Sequence, residues 1–327
     1  MKQGARNGQG RRRTVVTAAA AIIAVAAIAA SVTLYNKSAG PARPAGPLPV
    51  RLPTTPGSYL GVYADGAPAS YGGVTAFTNA TRARPDVLMY YSGWFERFQA
   101  GFAATAADDG AVPLVQMDPT GVSVAAIAAG KYDGYLSSYA EAVRAYGHPV
   151  IISFGHEMNG SWYSWGYRHT SPAAFVAAWR HVVALFRALG AENVTWLWTV
   201  NVVNDTQQGS IPSPASWWPG SSYVNWVGID GYYLESSWQF APLFGPTIAE
   251  VRELTGDPIL IAETGAVPAA GQAAKIADMF AGVRLYELLG FVYFDATDYQ
   301  GVDFSISSAA AVSAFGKGAN TFTRPAS

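Results

Sequence analysis

Pro149-Val150-Ile151-Ile152-Ser153-Phe154-Gly155-His156-Glu157 is the stretch on which the fold turns. Its apolar run is too short for a helix, is rich in β-branched side chains and does not alternate with polar residues, so it reads as a strand buried on both faces. A glycine and two ionisable residues then end it abruptly. Seven further runs have the same character: Tyr59–Ala64, Val87–Tyr91, Val112–Met117, Val194–Thr199, Trp226–Ile229, Pro258–Ala262 and Phe291–Phe294. They are separated mostly by 25 to 40 residues, enough for a helix and two loops. Eight strand and helix repeats in about 270 residues predict an α/β chain with a single (β/α)8, or TIM, barrel.

The connecting helices carry their own punctuation. Ser171 as N-cap and Pro172 in the first turn open a helix over Pro172–Leu189. Others are expected over Tyr135–Tyr146, over Pro246–Thr255, and over Ala270–Leu289 with Gly290 as its stop.

Ahead of the barrel the composition changes. Lys2, Arg6, Arg11, Arg12 and Arg13 precede an uncharged apolar run from Val15 to Tyr35, long enough to span a bilayer. Residues 1–36 therefore read as a signal peptide or a membrane anchor, with Ala27-Ile28-Ala29 a small-residue site at which cleavage is an alternative to retention. The positive-inside rule puts everything beyond this segment outside the cytoplasm, membrane-anchored or secreted. Residues 37–56, with Pro41, Pro44, Pro47, Pro49, Pro53 and Pro56, form an extended linker, and residues 57–327 form the catalytic domain.

Residues 1–56 hold eight Lys/Arg and no acid, which leaves 13 bases against 22 acids in the remainder. So acidic a domain repels phosphate backbones, and no nucleic-acid partner is expected. The absence of cysteine excludes disulfides, thiolate metal sites and a cysteine nucleophile. With four histidines and no two at zinc-protease spacing, neither metal nor cofactor is implied.

Catalytic residues of such a barrel lie where its strands end. Gln116 and Asp118 follow the third run, His156, Glu157 and Asn159 the fourth, Asn201 the fifth, Asp230 and Tyr232 the sixth, Glu263 the seventh and Asp295 the eighth. Glu157 and Glu263 face each other across the mouth, the two-carboxylate arrangement that cleaves glycosidic bonds. His156 and Tyr232 are the candidate donors that set their ionisation. Aromatic residues that would stack on sugar rings crowd the same loops: Trp162, Tyr163, Trp165 and Tyr167, then Trp94, Trp198, Trp217, Trp218, Tyr233 and Trp238. Trp179 and Trp196 are assigned to the core, and Asp230 to bracing the rim.

Gly155-His156-Glu157-Met158-Asn159-Gly160-Ser161-Trp162-Tyr163-Ser164-Trp165-Gly166 resembles the strand-4 acid/base motif of glycoside hydrolase family 26, the β-mannanase family with catalytic glutamates on strands 4 and 7. Ile261-Ala262-Glu263-Thr264-Gly265-Ala266 resembles its nucleophile motif, and Val227-Gly228-Ile229-Asp230-Gly231-Tyr232 its strand-6 motif. The resemblance implies Glu157 as acid/base and Glu263 as nucleophile, with His156 and Tyr232 supporting them. It also implies Trp162 as a stacking platform, with Trp198 and Asn201 as substrate-binding residues at the strand-5 end. The implied substrate is a β-linked polysaccharide, first β-1,4-mannan or glucomannan, cleaved through a covalent glycosyl-enzyme by a monomer. Asp303 is followed by Phe304 and Ser305 where family members often carry a Trp-Arg pair, and the third strand reads Gln116-Met117-Asp118-Pro119 in place of a Trp-Glu-Pro sequence. Mixed-linkage β-glucan and β-1,3-xylan therefore stay open as substrates. A catalytically silent, tethered glycan-binding protein is the alternative of another class.

Overall fold

A computed structural model describes residues 52–203, 211–298 and 300–322. Eight parallel strands close into one barrel in sequence order. They are β1 (Tyr59–Ala64), β2 (Val87–Gly93), β3 (Val112–Asp118), β4 (Val150–Phe154), β5 (Val194–Asn201), β6 (Trp226–Asp230), β7 (Ile259–Thr264) and β8 (Gly290–Asp295). Between and after them lie α1 (Gly72–Thr81), α2 (Ala100–Asp108), α3 (Val124–Ala128), α4 (Asp133–Tyr146), α5 (Pro172–Ala188), α6 (Phe240–Leu254), α7 (Gln272–Leu285) and α8 (Ala309–Ala319). The (β/α)8 expectation holds. Several strands run past their apolar stretch into the polar residues that follow, so Asp118, Asn201, Asp230 and Glu263 are fixed by backbone ladders and not by loops.

The barrel separates two cores, and strand periodicity decides which side chains enter each. Tyr59, Met89, Leu114, Ile151, Leu197, Trp226, Leu260 and Phe294 fill the interior. Alternate residues such as Tyr90, Ile152, Trp196, Trp198 and Ile261 join the larger layer between strands and helices. Along β3 this parity aligns Leu114, Gln116 and Asp118, and along β5 Leu197, Thr199 and Asn201. The interior is thus apolar below and polar at the mouth.

Ser171 caps α5 by accepting the Ala174 N–H at 3.3 Å. α6 departs from expectation, beginning at Phe240 and not at Pro246, which lies inside it. The Phe240 N–H donates to Asp278 Oδ2 at 2.6 Å, so a carboxylate from the next helix satisfies a first-turn donor that no local cap serves. α7 is shorter than predicted, Glu287 adopting a left-handed φ of 51° just beyond its end. Four Ala- and Gly-rich helices, α1, α2, α3 and α8, went unpredicted because small residues give little periodic contrast.

The predicted signal or anchor (residues 1–36) and most of the linker lie outside the described residues. Among the described residues no helix is long and apolar enough to cross a membrane. Of the last linker residues, 53–56 are exposed, while Leu52 rests on the barrel interior and the Pro53 carbonyl accepts the Tyr59 hydroxyl at 2.8 Å.

Candidate active site

Glu263 reaches the barrel mouth through a break in register. Strict alternation after Leu260 and Ala262 would point it outward. Between β6 and β7 the register slips by one residue, so that Ile229 pairs with Ile261 and Asp230 with Glu263. A bulge of this kind re-aims a side chain, and here it turns the glutamate inward. Both of its carboxyl oxygens are then engaged. Oε1 accepts the Tyr91 hydroxyl at 2.8 Å and Gln116 Nε2 at 3.0 Å, and Oε2 accepts the Tyr232 hydroxyl at 2.8 Å. Burial, and then the charge of Glu263, raise both tyrosine pKa values well above the ordinary range, so these hydroxyls remain donors at any working pH.

Glu157 is presented differently. After β4 the chain turns through two residues of positive φ, Gly155 at 57° and Glu157 at 53°. Such a conformation costs a non-glycine residue about 1–2 kcal/mol and is typical of functional positions. The Glu157 N–H donates to the Thr199 carbonyl at 3.0 Å. Its carboxylate accepts Asn201 Nδ2 on Oε1 and Trp162 Nε1 on Oε2, each at 2.6 Å. Gly160 is needed for the second bond, since a Cβ there would lie 2.2 Å from the Trp162 ring. Asn201 is itself held by Asn159, which accepts its backbone N–H at 2.8 Å and donates to its carbonyl at 2.9 Å.

Electrostatics single out Glu157. Burial is the largest influence on Glu157 and raises it to about 7; the charge of Glu263 adds to this, while His156, Asn201 and Trp162 oppose it. For His156 burial disfavours the cation, but Asp118 at 2.9 Å, then Glu263 and Glu157, outweigh it and lift the imidazole to about 9. A cationic imidazolium thus sits behind the two glutamates. The pKa of Asp230, fully buried, is raised well above the ordinary carboxylate value by burial and then by the charges of Glu263 and Glu157. Neither of the Asp230 carboxyl oxygens has a close side-chain hydrogen-bond partner among the described residues; the Glu263 backbone faces the carboxyl, and the Asp230 carbonyl accepts the Val202 N–H at 2.9 Å. His156, Asp230 and Glu263 bring ligand atoms within 4.8 Å of one another. A cation there would have to displace the donors that occupy Glu263.

The cleft above these groups measures about 490 Å³ and is lined by Glu157, Glu263, Trp162, Tyr163, Asn201 and Tyr232, with Tyr63, Tyr91, Phe294 and Phe304 on the facing wall. His156 is not a wall residue: it is 1% exposed and lies behind Tyr163, ring centroids 4.9 Å apart. Trp198 is misplaced by the sequence reading. It follows Leu197 on β5, faces the outer layer, is fully buried and packs on Trp218 at 4.9 Å. Trp94, Trp165, Trp217 and Tyr233 are likewise packing residues, Trp165 stacking on Tyr163 at 4.4 Å and donating to the His156 carbonyl at 2.8 Å. Trp179 and Trp196 are in the core as expected. Tyr91 and the Asp118 partnership of His156 were not singled out beforehand, although inward parity from Met89 and Leu114 points to both. Phe304 occupies the wall beside Tyr232 at 4.7 Å.

Two buried glutamates, one near neutrality and one ringed by donors, at the C-terminal mouth of a (β/α)8 barrel define the class of paired-carboxylate barrels to which glycoside hydrolases of this fold belong. Comparison adds a match of part of the chain: residues 119–266 match the model of glycosyl hydrolase family 26, whose strand-4 and strand-7 motifs they resemble. Endoglucanase H of Acetivibrio thermocellus is 28% identical over 233 residues, 67% of this chain and 25% of that protein. Mannan endo-1,4-beta-mannosidase A and B of Caldalkalibacillus mannanilyticus is 31% identical over 94 residues, 27% of this chain and 17% of that protein. The chain thus spans a quarter or less of the length of these two relatives. Among solved structures, a modular endo-beta-1,4-mannanase from Cellulomonas fimi superposes with a TM-score of 0.64 at 19% identity, covering 81% of this chain and 71% of that one. That likeness bears on the fold.

Proposed function

We propose that this chain is a retaining glycoside hydrolase acting within β-linked polysaccharides. The observation that carries the reading is the asymmetry of the glutamates. Glu157, held near pH 7 by burial, has a proton to give; Glu263 is surrounded by donors to both oxygens and presents an acceptor-only carboxylate. Glu157 protonates the leaving glycosidic oxygen as Glu263 attacks the anomeric carbon, forming a glycosyl ester. Glu157, now a carboxylate stabilised by Asn201, Trp162 and the nearby imidazolium, then takes a proton from the water that attacks the same carbon and frees Glu263. Trp162 and Tyr163 offer the flat surfaces on which a sugar ring rests.

Family resemblance and the mannosidase match favour β-1,4-mannan or glucomannan as the polymer. A second reading, β-glucan, is supported by the longer match to an endoglucanase and by Phe304-Ser305, which stand where family members often carry a Trp-Arg pair, so that Ser305 takes the arginine's place. The basic start and apolar run of residues 15–35 support an exported, membrane-anchored or secreted location. No cofactor enters the scheme.

Reducing-sugar release by the purified full chain on glucomannan, mixed-linkage β-glucan, β-1,3-xylan and cellulose tests the proposal, with Glu263→Ala alongside and the product anomer read by NMR. Release that vanishes in the variant, with the β-anomer formed first, is expected. Silence on every polymer with glycan binding retained would replace the enzyme by a tethered glycan-binding protein.

A further inference from the structure

Phe95 is the one aromatic side chain among the large exposed hydrophobics of the described residues, 60% accessible. The turn that presents it is built and tight. Gly93 accepts the Glu96 N–H at 3.1 Å while the Glu96 carboxylate accepts the Gly93 N–H at 2.9 Å, so Trp94 and Phe95 are the central residues of a four-residue turn. Phe95 has φ of 73°, the position of such a turn that glycine or asparagine ordinarily fills. A bulky ring is therefore held in a strained conformation at a place where a glycine would make the same turn more readily, and its ring is left largely in water.

The turn also lies in a telling place. β2 ends in Tyr91, Ser92 and Gly93, and Tyr91 donates to Glu263, so Phe95 stands four residues beyond a side chain that touches the reacting pair. Its neighbours Tyr132 and Tyr135 begin α4, and helices that follow barrel strands have their N-termini on the strands' C-terminal face, the face of the cleft. Phe95 meets Tyr132 at 5.8 Å and Tyr135 at 5.4 Å edge to face, which fixes the ring without covering it. Buried Trp94 supports the group from below, against Tyr135 at 4.9 Å and Phe154 at 6.2 Å. Exposed Glu96 and Lys131 flank it with hydrogen-bonding groups. An apolar ring face bordered by polar groups is what the C–H face and hydroxyl rim of a pyranose require.

We propose that Phe95, backed by Tyr132 and Tyr135, is a remote glycan-binding platform on the rim of the barrel, engaging sugar units of the polymer that lie outside the cleft. The proposal rests on the glycosidase reading of the cleft. It assigns the polymer chain itself as ligand, held by stacking and without contact to Glu157 or Glu263. Its consequence is a preference for long substrates over short ones, since a trisaccharide seated in the cleft does not reach the rim.

The test is the ratio of kcat/KM on the polymer that the wild type hydrolyses best to kcat/KM on the trisaccharide of the same sugar. Phe95→Ala should lower that ratio about threefold to tenfold, through polymer KM, the range expected for one aromatic contact. Phe95→Trp should preserve it. Phe95→Gly relieves the turn while removing the ring, so it should melt no lower than wild type and still lose the ratio, which a merely structural role would not produce. An unchanged ratio in active Phe95→Ala and Phe95→Gly enzymes overturns the platform and leaves the cleft reading intact; equal losses on both substrates overturn it as well. A wild type silent on every polymer overturns the cleft reading, and the platform with it.

Discussion

The two glutamates occupy one cleft but are held by different kinds of structure. Glu263 is fixed from within the barrel: a register slip in β7 turns it inward, and its three donors, Tyr91, Gln116 and Tyr232, come from β2, β3 and the end of β6. Glu157 is fixed from the rim, on a left-handed residue past the end of β4, with one donor from its own loop and one from β5. The barrel-held carboxylate is the more fully surrounded: three donors occupy both lone pairs of Oε1 and one of Oε2, which leaves a single Oε2 lone pair to meet a substrate. The rim-held one is the group whose proton can come and go. Position in the fold thus separates the roles before any substrate is considered.

Breaking either side should expose the difference. Glu263→Ala removes the proposed nucleophile and is expected to lower kcat by four or more orders of magnitude on every substrate, roughly the scale on which covalent catalysis fails when its nucleophile is lost. Glu157→Gln removes only the proton transfer, worth about 10²–10⁴-fold. On an aryl glycoside whose phenol leaves without protonation, the Glu157→Gln deficit should shrink while that of Glu263→Ala persists. A deficit equally large for both variants on that substrate would sink the assignment of roles.

The same variant carries a pH signature. Glu157 is raised from 4.5 to about 7 in the fold, and it must be protonated to act as acid, so wild-type activity should fall as pH rises through about 7. Glu157→Gln should lack this limb. For stability the sign is the same: a carboxyl whose pKa is raised by folding contributes stability that is fully present below its unfolded pKa and is lost as pH rises through its folded one. Glu157→Gln should therefore gain in Tm relative to wild type on going from pH 4 to pH 8, measured by calorimetry.

Much of this was legible in the sequence, and the misses share a cause. Apolar runs announced all eight strands because strands covered on both faces have no polar alternation, and the polar residues that end them named both glutamates, Tyr232 and Asn201. Which way a side chain points was harder to read. Counting from Ala262 gives the wrong face for Glu263, because the bulge that corrects it is a property of the β6 and β7 pairing and not of either strand alone. Tyr91 closes the apolar run Val87–Tyr91, and nothing in the run itself sets it apart from the strand residues before it. Trp162 and Trp165 stand three residues apart in one loop, yet one lines the cleft and the other packs beneath it, a distinction set by the turn at Gly160.

Tyr91 offers a finer test of the barrel-held half. Tyr91→Phe deletes one of the three hydrogen bonds to Glu263 and leaves the ring. A hydrogen bond to a charged group is worth about 1.5–3 kcal/mol, so kcat should fall roughly tenfold to a hundredfold, with KM little changed. A drop in KM as large as the drop in kcat would instead show that Tyr91 acts on the bound substrate.

The smallest effect on activity is expected at Trp198, where the comparison between barrel and rim meets strand parity. Trp198 and Asn201 are three residues apart on β5, hence on opposite faces: Asn201 holds Glu157 at 2.6 Å, while Trp198 is buried in the outer layer against Trp218. Its indole N–H has no acceptor among the described residues. Trp198→Phe removes that unsatisfied donor as well as some packing volume, so the two consequences partly cancel and a loss of about 1–2 kcal/mol in unfolding free energy is expected. Turnover and KM on the polymer should stay within about twofold of wild type, since a side chain outside the cleft cannot favour a transition state inside it except by moving β5. A KM increase of tenfold or more, with the melting curve unchanged, would put Trp198 back in the substrate path and show that β5 does not keep its alternation at the mouth.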